Sequence, residues 1–498
     1  MAKFQTIITE DPPLAHLAAA AIVAIVTYRT LRAIYRLYLH PLSKFPGPRS
    51  AALSRKWVAK TVSSGFPEKE YEKLHKEFGT TALRIAPNQL HISDSSLYRV
   101  IYNQSNPFPK EKAFYETFES QHTIFSETDT HLHKQRRKLL NPLFSKAGVN
   151  KLEPLILEKL EETKAKVERI SKVGPIDVSA AFRCMTVDII SQFSFGNSIG
   201  LINEHPTGFE SGYLKALALA SGAPFLRYYS DMQKLVAKCI PLSVAANFDS
   251  VLSELQNMVG MIFASYDQYS RGDGKSMYPV MFDVLKSLPI DQQKAEAINT
   301  FIAGSDTTAL TLTTALFHIL QLPEVEKTLV DCLDEEFQKA ETIPSLLQLE
   351  QLKYLRACVN EALRVGMPVP GVLPRIVPQR AQPFIVDGKV VPPGTIVGIS
   401  AYTMHTEPHI WGKDAKSFNP ARWLGPNAKE LETNMVSFGK GARACIGINI
   451  SYAEIFITLA HLFHYYKMEL KSKELHATDK FTLEVEESGL WVDFKLRQ

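Results

Sequence analysis

The chain has 498 residues, of which 45% are hydrophobic and 22% charged, and its formal net charge is +4. This length and composition suit a globular protein with one large domain, and they exclude a mainly disordered chain. The small positive charge gives no support for nucleic acid as a partner. The five cysteines are widely spaced without a CxxC pair, so that neither a disulfide framework nor a structural zinc site is indicated.

An apolar stretch, residues 14–28, lies near the N-terminus and is followed by Arg29, Arg32 and Arg36. The stretch is shorter than the roughly 20 residues of a full membrane span, but arginine side chains can reach the lipid headgroups and extend it. A cleavable signal peptide is the alternative, which the lack of small residues at the end of the stretch disfavours. Basic residues are more numerous after the stretch than before it, which places the rest of the chain in the cytoplasm.

The tetrapeptide Phe45-Pro46-Gly47-Pro48 cannot continue a helix, because proline lacks an amide hydrogen and clashes with the preceding turn. It predicts a stiff hinge between the anchor and a catalytic body, with an ordinary surface turn as the alternative. The expected organisation is an N-terminal anchor with its flank over residues 1–40, a proline-containing hinge over residues 41–64 and one catalytic domain over residues 65–498.

The body is predicted to be mainly helical with a minor β-sheet region. Apolar residues recur at helical spacing in four long segments, and strand signals are short and flanked by turn residues. The predicted helices are residues 150–172, 253–269, 294–320 and 324–340. The predicted strands are residues 82–86 and 90–92, a hairpin over 384–391 with its turn at Asp387-Gly388, and residues 395–399.

Residues 438–447 read FGKGARACIG, and a helical pattern follows. Cys445 is therefore expected near a helix N-terminus, where free amides and the helix dipole favour a thiolate. The segment resembles the haem-ligand loop of the cytochrome P-450 family, Phe-x-x-Gly-x-Arg-x-Cys-x-Gly. The resemblance implies that Cys445 is the axial ligand of a haem b iron, that Arg443 pairs with a haem propionate and that Phe438 shields the sulfur. A buried structural cysteine is the alternative.

Residues 303–308 read AGSDTT within a long apolar helical run. Thr307 could bond to the Ala303 carbonyl group and open the helical turn. The segment resembles the oxygen-binding helix of the same family at every position. By that resemblance Ala303 and Gly304 lie against the haem, Thr307 orients dioxygen and a water molecule, and Asp306 helps to relay protons from solvent. A kinked core helix is the alternative.

Glu361 and Arg364 lie three residues apart among apolar residues, so they share one face of a helix. They match the Glu-x-x-Arg pair of the family. FNPARW at residues 418–423 resembles the meander that follows it, with Ala421 where the family often has an acidic residue. The resemblance implies that Glu361, Arg364 and Arg422 form a buried network with a structural role.

Two further segments resemble family regions that contact the haem propionates. The first has His133 in place of the tryptophan of Trp-x-x-x-Arg, with Arg137 four residues later, and the second is the strand that contains Arg375. Guanidinium groups suit this role because they bind carboxylates bidentately. Nearby basic residues form either a solvated helix face or a docking surface for an acidic electron donor. They are Lys134, Arg136 and Lys138.

The resemblance covers nearly the whole chain and is greatest to fungal microsomal members of specialised metabolism. It implies a single-pass protein of the endoplasmic reticulum membrane that inserts one atom of O2 into a lipophilic substrate, with a terpenoid as the leading candidate. Electrons would come from NADPH through NADPH-cytochrome P-450 reductase, with cytochrome b5 as a further candidate donor, because the chain lacks a dinucleotide-binding GxGxxG. The expected substrate wall comprises Phe114, Phe118, Phe125, the groove beside Ala303 and residues 369–373.

Two other functions stay open at this stage. A haem-thiolate isomerase or dehydratase would need no external electrons, although Asp306 and Thr307 would have no use in such a reaction. A haem sensor at the membrane would bind ligands at the iron without consuming NADPH.

Overall fold

The computed structural model of the chain describes residues 14–118, 122–240, 242–271, 276–339 and 343–497. Within this part, twelve helices have nine or more residues. They are α1 (Leu14–Ile34), α2 (Pro67–Phe78), α3 (Thr130–Phe144), α4 (Glu153–Ile170), α5 (Val178–Phe195), α6 (Gly212–Tyr229), α7 (Asp231–Cys239), α8 (Ser250–Arg271), α9 (Ile290–Gln321), α10 (Pro323–Lys339), α11 (Lys353–Gly366) and α12 (Ile448–Tyr465). Shorter helices include Arg49–Leu53, Lys56–Val62, Lys112–Tyr115, Ala401–His405 and Ala428–Asn434.

The strands are short and form four small sheets in the described residues. They are β1 (Ala82–Ala86), β2 (Gln89–Ile92), β3 (Ile176–Asp177), β4 (Arg375–Ile376), β5 (Phe384–Val386), β6 (Lys389–Val391), β7 (Ile396–Gly398), β8 (Tyr466–Leu470), β9 (Ala477–Lys480), β10 (Thr482–Val485) and β11 (Trp491–Leu496). The largest sheet has the order β1-β2-β7-β4, in which only β2 and β7 run parallel. The remaining sheets are β3-β11-β8 and the hairpins β5-β6 and β9-β10.

The central element is α9, which packs against α5, α11 and α12. Residues 309–317 of this helix are buried on every side, as expected for a helix in the interior of a large helical domain. The predicted mainly helical class with a minor sheet is confirmed. The predicted elements are also confirmed with small shifts at their ends: α4 begins at Glu153 because Pro154 is tolerated only in the first turn.

The turn of the β5-β6 hairpin is the predicted Asp387-Gly388. Both residues have positive φ angles, 51° and 68°, which is the geometry of a type I′ turn. The Asp387 carboxylate also accepts a hydrogen bond from the Thr81 amide at 2.9 Å, so this turn is fastened to the start of β1.

The segment after α1 packs closely on the body. The Arg84 amide of β1 donates to the Pro46 carbonyl oxygen at 2.8 Å, and Leu42 and Phe45 are buried. A Cβ atom at Gly47 would lie 2.3 Å from the Arg84 carbonyl oxygen, so only glycine fits there. These contacts attach the residues on both sides of the prolines to the body, and the role of residues 41–64 as a hinge stays a prediction.

One helix of the described residues is long and apolar enough to cross a membrane. The candidate span is His16–Leu39, which has 24 residues, a mean hydropathy of 1.6 and no buried residues in its most apolar window. It is longer than the apolar stretch read from the sequence, because the helix continues past Arg29 and Arg32. A signal sequence has the same length and composition, and the residues before Leu14 lie outside the described part.

Candidate active site

The loop over residues 436–447 carries Cys445 just before α12. Gly441 has a φ angle of +75°, and a Cβ atom at this position would lie 2.3 Å from the Tyr102 carbonyl oxygen, so that only glycine fits. The Cys445 amide donates to the Phe438 carbonyl oxygen at 2.8 Å and closes the loop. The local sequence therefore produces a tight loop that fixes the backbone on both sides of the thiol.

The predicted network around Glu361 is confirmed, and it supports this loop. Both oxygens of the buried Glu361 carboxylate accept hydrogen bonds from Arg364, at 2.7 and 2.8 Å, and one also accepts from Arg422 at 3.0 Å. Arg364 donates to the His405 carbonyl oxygen at 2.8 Å, and the His405 ring accepts the Val436 amide at 2.8 Å. A buried ion pair with all its groups bonded holds α11 and the start of the loop in one position.

The thiol of Cys445 borders an internal space, because the side chain is accessible to solvent although protein atoms surround it. Burial raises the pKa of the thiol, whereas the Gly447 amide and the nearby Arg137 act in the opposite direction. The Gly447 amide therefore favours the thiolate, as the sequence predicts, but burial outweighs it in the protein alone. Cys445 precedes the first residue of α12 by three positions, and the burial effect is larger. A thiol in this setting loses its proton when it coordinates a metal ion.

The AGSDTT segment of α9 contacts α12, the helix that follows the cysteine loop. Thr307 Oγ1 donates to the Ala303 carbonyl oxygen at 2.9 Å, as predicted, but the helix runs without a break, so the expected opening of the turn is not observed. Thr308 Oγ1 bonds to Ser451 Oγ of α12 at 3.0 Å, which joins this part of α9 to the helix that follows Cys445. Ala303 is exposed although it lies within this central helix. The structure thus brings the two predicted halves of the site together.

Two residues of the same segment contact α5. A Cβ atom at Gly304 would lie 2.7 Å from the Ile190 side chain, so the glycine allows the two helices to approach, and its predicted contact with haem stays a prediction. Asp306 is buried, and its carboxylate accepts a hydrogen bond from Arg183 Nε at 2.8 Å. A cavity of about 10 Å³, room for about one water molecule, lies between Asp306, Arg183 and Glu484. The role of Asp306 in relaying protons stays a prediction.

Several basic groups converge on one face of the site. Burial and the nearby Arg375 lower the pKa of Arg443 to about 10. Burial, with Arg443, Lys110 and Arg137, lowers the pKa of His133 to about 3, so this ring is neutral. Arg375 Nε is buried without a hydrogen-bond partner in the part of the chain that the structure describes. So much positive charge at close range is unfavourable unless an anion of more than one charge binds there.

Lys110 belongs to this cluster, although no sequence motif marks it. Its ammonium group donates to the Phe125 carbonyl oxygen and lies 4.2 Å from the centre of the Tyr115 ring. Burial, with Arg375 and Arg443, lowers its pKa well below the usual value. A charged lysine buried beside two arginines is unfavourable unless an anion binds next to it.

The two arginines of α3 have different surroundings. Arg137 donates to the Ala444 carbonyl oxygen at 2.6 Å, beside Cys445, and its contact with a propionate stays a prediction. Arg136 is buried, donates to Gln292 at 2.6 Å and lies 3.6 Å from Glu296, so its interpretation as part of a solvated or docking face is wrong. The exposed charges on this helix are Lys134 and Lys138.

The residues present fit a haem. Cys445 provides a sulfur ligand for the iron, and the basic cluster provides donors for two propionates. We expect the propionates to be bound by Arg443, Arg375, Lys110 and His133. The predicted wall residues Phe114, Phe118 and Phe125 form one aromatic cluster, which the structure extends by Phe481, with ring centres 5.0 to 6.1 Å away.

A sequence model of the family described as Cytochrome P450 matches residues 46–488. The chain belongs to this family. The cytochrome P450 is 31% identical to cytochrome P450 monooxygenase aneF of Aspergillus aculeatus, over 89% of this chain and 92% of the relative. It is 29% identical to cytochrome P450 monooxygenase macH of Penicillium terrestre, over 89% and 90%, and 30% identical to tryptophan 6-hydroxylase fscE of Fusarium equiseti, over 91% and 90%. Membership of this family implies haem iron with cysteine thiolate ligation and an oxidoreductase activity.

Proposed function

We propose that this cytochrome P450 is a membrane-anchored monooxygenase that inserts one atom of O2 into a lipophilic substrate and reduces the other atom to water. The observation that supports this most strongly is the position of Thr307 and Asp306 on the stretch of α9 that is joined to α12 beside Cys445. The substrate would be a terpenoid or another specialised metabolite. α1 would hold the protein in the endoplasmic reticulum membrane, with the catalytic domain in the cytoplasm.

Bound haem supplies the chemistry that activates dioxygen. The chain itself holds the cofactor through Cys445 and the basic cluster, and it excludes water by the buried packing around α9. The Thr307 hydroxyl group donates to the Ala303 carbonyl oxygen, so its own oxygen is left to accept a hydrogen bond from a water molecule. Asp306 holds or passes a proton at its carboxylate, and Arg183 fixes the orientation of that carboxylate.

Each turnover consumes two electrons and two protons. The electrons would come from NADPH through NADPH-cytochrome P-450 reductase, with cytochrome b5 as a second candidate donor. Lys134 and Lys138 are exposed on α3 and carry positive charge. An acidic electron donor would be attracted to this face, which would speed its association.

The test is to co-express the chain with a reductase and to screen lipophilic metabolites for an NADPH-dependent gain of one oxygen atom. Cys445→Ser should abolish this product and the red-shifted Soret band of the reduced carbon monoxide complex, whereas Cys239→Ser, at an exposed thiol, should keep both. Turnover without NADPH would instead favour an isomerase or dehydratase. Ligand binding without any NADPH consumption would favour a sensor, and an unchanged spectrum in Cys445→Ser would make the cysteine structural.

A further inference from the structure

A buried acidic site lies where the β9-β10 hairpin meets α2 and the segment before β4. Glu68 of α2 and Asp479 of β9 are only 2% and 3% exposed. A Cβ atom at Gly371 would lie 3.7 Å from Glu68 Oε1 and 3.7 Å from Asp479 Oδ2, so both carboxyl groups face the same side of this glycine. Asp479 Oδ1 accepts the Phe481 amide at 2.9 Å, whereas Oδ2 has no hydrogen-bond partner among the described residues.

Glu68 is hydrogen-bonded to a chain of two buried histidines. His75 Nδ1 lies 2.7 Å from the Thr80 carbonyl oxygen, which can only accept, so this nitrogen carries the proton. His75 Nε2 then accepts from His91 Nδ1 at 2.8 Å, because burial lowers the pKa of His75 to about 3 and keeps its ring neutral. His91 Nε2 lies 3.0 Å from Glu68 Oε2, so this carboxyl group already has a polar partner.

The acid of this site that has an unpartnered oxygen among the described residues is Asp479. Burial and the neighbouring Glu68 raise the pKa of its carboxyl group to about 7. The Arg55 guanidinium lies over the rings of Tyr228 and Tyr229, 4.0 and 5.5 Å from their centres, and does not contribute to the pKa shift of Asp479. A buried carboxylate with one free oxygen is stabilised by a cation that also donates a hydrogen bond.

The walls of the site are aromatic. The Tyr71 ring lies 4.9 Å from the ring of His91, which is next to Glu68. The Phe225 ring lies between those of Tyr229 and Phe481, with ring centres 5.4 and 5.9 Å away. Phe481 is held at a φ angle of +89° by its bond to Asp479, and its ring is 5.0 Å from Phe118 and 5.9 Å from Phe125. The faces of aromatic rings attract an ammonium group.

The site is also close to the central helix. Asp479 is the direct cross-strand partner of Leu483 in the β9-β10 hairpin. Leu483 lines the same small cavity as Asp306 and Leu310 of α9. The acidic site, the aromatic cluster and the oxygen-side helix are thus neighbours.

We propose that the acidic site binds a protonated amine of the substrate and so places the apolar remainder of that molecule along the aromatic cluster towards α9. The proposal rests on the monooxygenase function above and adds the substrate class. The substrate is a lipophilic molecule with one basic nitrogen, several bonds away from the carbon that is oxidised.

The first experiment measures binding of two probes to the haem-loaded protein by equilibrium dialysis. One probe is N,N-dimethyl-phenylbutylamine, whose methyl groups hinder direct binding of nitrogen to iron, and the other is the neutral analogue with carbon in place of nitrogen. Asp479→Asn keeps the shape of the site and should weaken binding of the amine about tenfold or more, while the neutral probe changes less than about twofold. Equal effects on the two probes, or no effect on either, would overturn the proposal.

The control variant is Asp177→Asn, because Asp177 also caps backbone amides, those of Ser179 and Leu490, but lies outside the acidic site. It should leave the binding of both probes unchanged.

A second variant, Gly371→Ala, places a methyl group at ordinary contact distance from both carboxyl groups without a clash. It should weaken binding of the amine more than binding of the neutral probe, and a larger effect on the neutral probe would contradict the proposal. The spectrum of the reduced carbon monoxide complex is recorded for the wild type and for each variant. A wild type without the red-shifted band would contradict the monooxygenase proposal, whereas a normal band with unchanged amine binding in the variants would contradict only the proposal of an amine site.

Discussion

Lys110 is an ordinary lysine in the sequence and becomes a cofactor-site residue only through the fold. It pairs across an isolated β-bridge with Arg375, which brings two basic side chains from distant parts of the chain to one face of the site. We expect Lys110→Met, which keeps the length of the side chain and removes its charge, to release haem about tenfold faster. A hydrogen bond to a charged group contributes about 1.5–3 kcal/mol, and ~1.4 kcal/mol corresponds to a factor of ten.

The rate is measured as transfer of haem to an excess of apomyoglobin. Lys112→Met is the matched control, because Lys112 is exposed and lies 3.6 Å from Glu116 at the surface. Equal rates for the two variants would remove Lys110 from the site.

The buried Glu454 of α12 should make the stability of the protein depend on pH. It is 2% exposed, and its Oε2 has no hydrogen-bond partner among the described residues. Burial raises the pKa of this carboxyl group well above its ordinary value of 4.5. The folded chain therefore keeps a proton that the unfolded chain releases above that value, so the free energy of unfolding falls as the pH rises, by up to about 1.4 kcal/mol per unit.

Glu454→Gln removes this titration without changing the shape of the side chain. We expect a higher melting temperature at mildly alkaline pH and a flatter dependence of the melting temperature on pH, measured by thermal unfolding. Glu487→Gln, at an exposed position, should follow the wild type. If Glu454→Gln kept the wild-type slope, the carboxyl group would have to be ionised in the folded protein.

At the scale of single elements, the loop before Cys445 depends on glycine for two separate reasons. Gly441 has a positive φ angle and also lies against the Tyr102 and Asn103 carbonyl oxygens, which are backbone atoms and cannot move aside. Gly388 in the β5-β6 turn has a similar φ angle of +68° with nothing within 4 Å of a Cβ atom. A side chain at Gly388 would cause only backbone strain, whereas a side chain at Gly441 would cause both strain and a steric clash.

We expect Gly388→Ala to cost about 1 kcal/mol, the strain of a left-handed alanine. Gly441→Ala should cost clearly more and should also lower the fraction of protein that retains haem, because the loop must shift. The measurements are denaturant unfolding and the ratio of haem to protein after purification. Equal costs at the two positions would show that the loop adapts freely.

The elements that carry the motifs were predictable, because their signals are local. Helical periodicity predicts α4, α8, α9 and α10, and turn residues predict the two hairpins. The side-chain contacts of these elements were less predictable. The Asp306 side chain pairs with Arg183 of α5, and Arg136 points inward to Gln292 and Glu296. None of these partners is near in the sequence.

For the whole molecule, the order of the motifs along the chain predicted the family, and the haem-site residues that it implies stay a prediction. Lys110 in that site and the acidic site of Glu68 and Asp479 could not be predicted. Each is assembled by the main sheet or by the β9-β10 hairpin from residues far apart in sequence, and none has a spacing that marks it. The direction of the Cys445 pKa shift could not be predicted from the sequence either. Burial raises this pKa and the nearby amide lowers it, and only the structure shows which effect is larger.

The N-terminal helix and the body are joined at the short π-helical turn Tyr35–Leu39. Arg36 donates to the Leu53 carbonyl oxygen, and its own carbonyl oxygen accepts from Arg84 at 2.9 Å. Deletion of residues 1–34 removes the exposed apolar helix and keeps both bonds, whereas deletion of residues 1–40 breaks both and takes an acceptor from Arg84, which is 3% exposed.

Both truncated proteins should move from the membrane fraction to the soluble fraction, because both lack α1, which forms most of the apolar span. The longer deletion should in addition be less stable by about 1–3 kcal/mol, the cost of leaving a buried donor without its partner. Fractionation of cell lysates and denaturant unfolding measure the two effects. A shorter deletion that stayed in the membrane fraction would show that the body itself binds the membrane, and equal stabilities would show that Arg36 does not fasten the helix to the body.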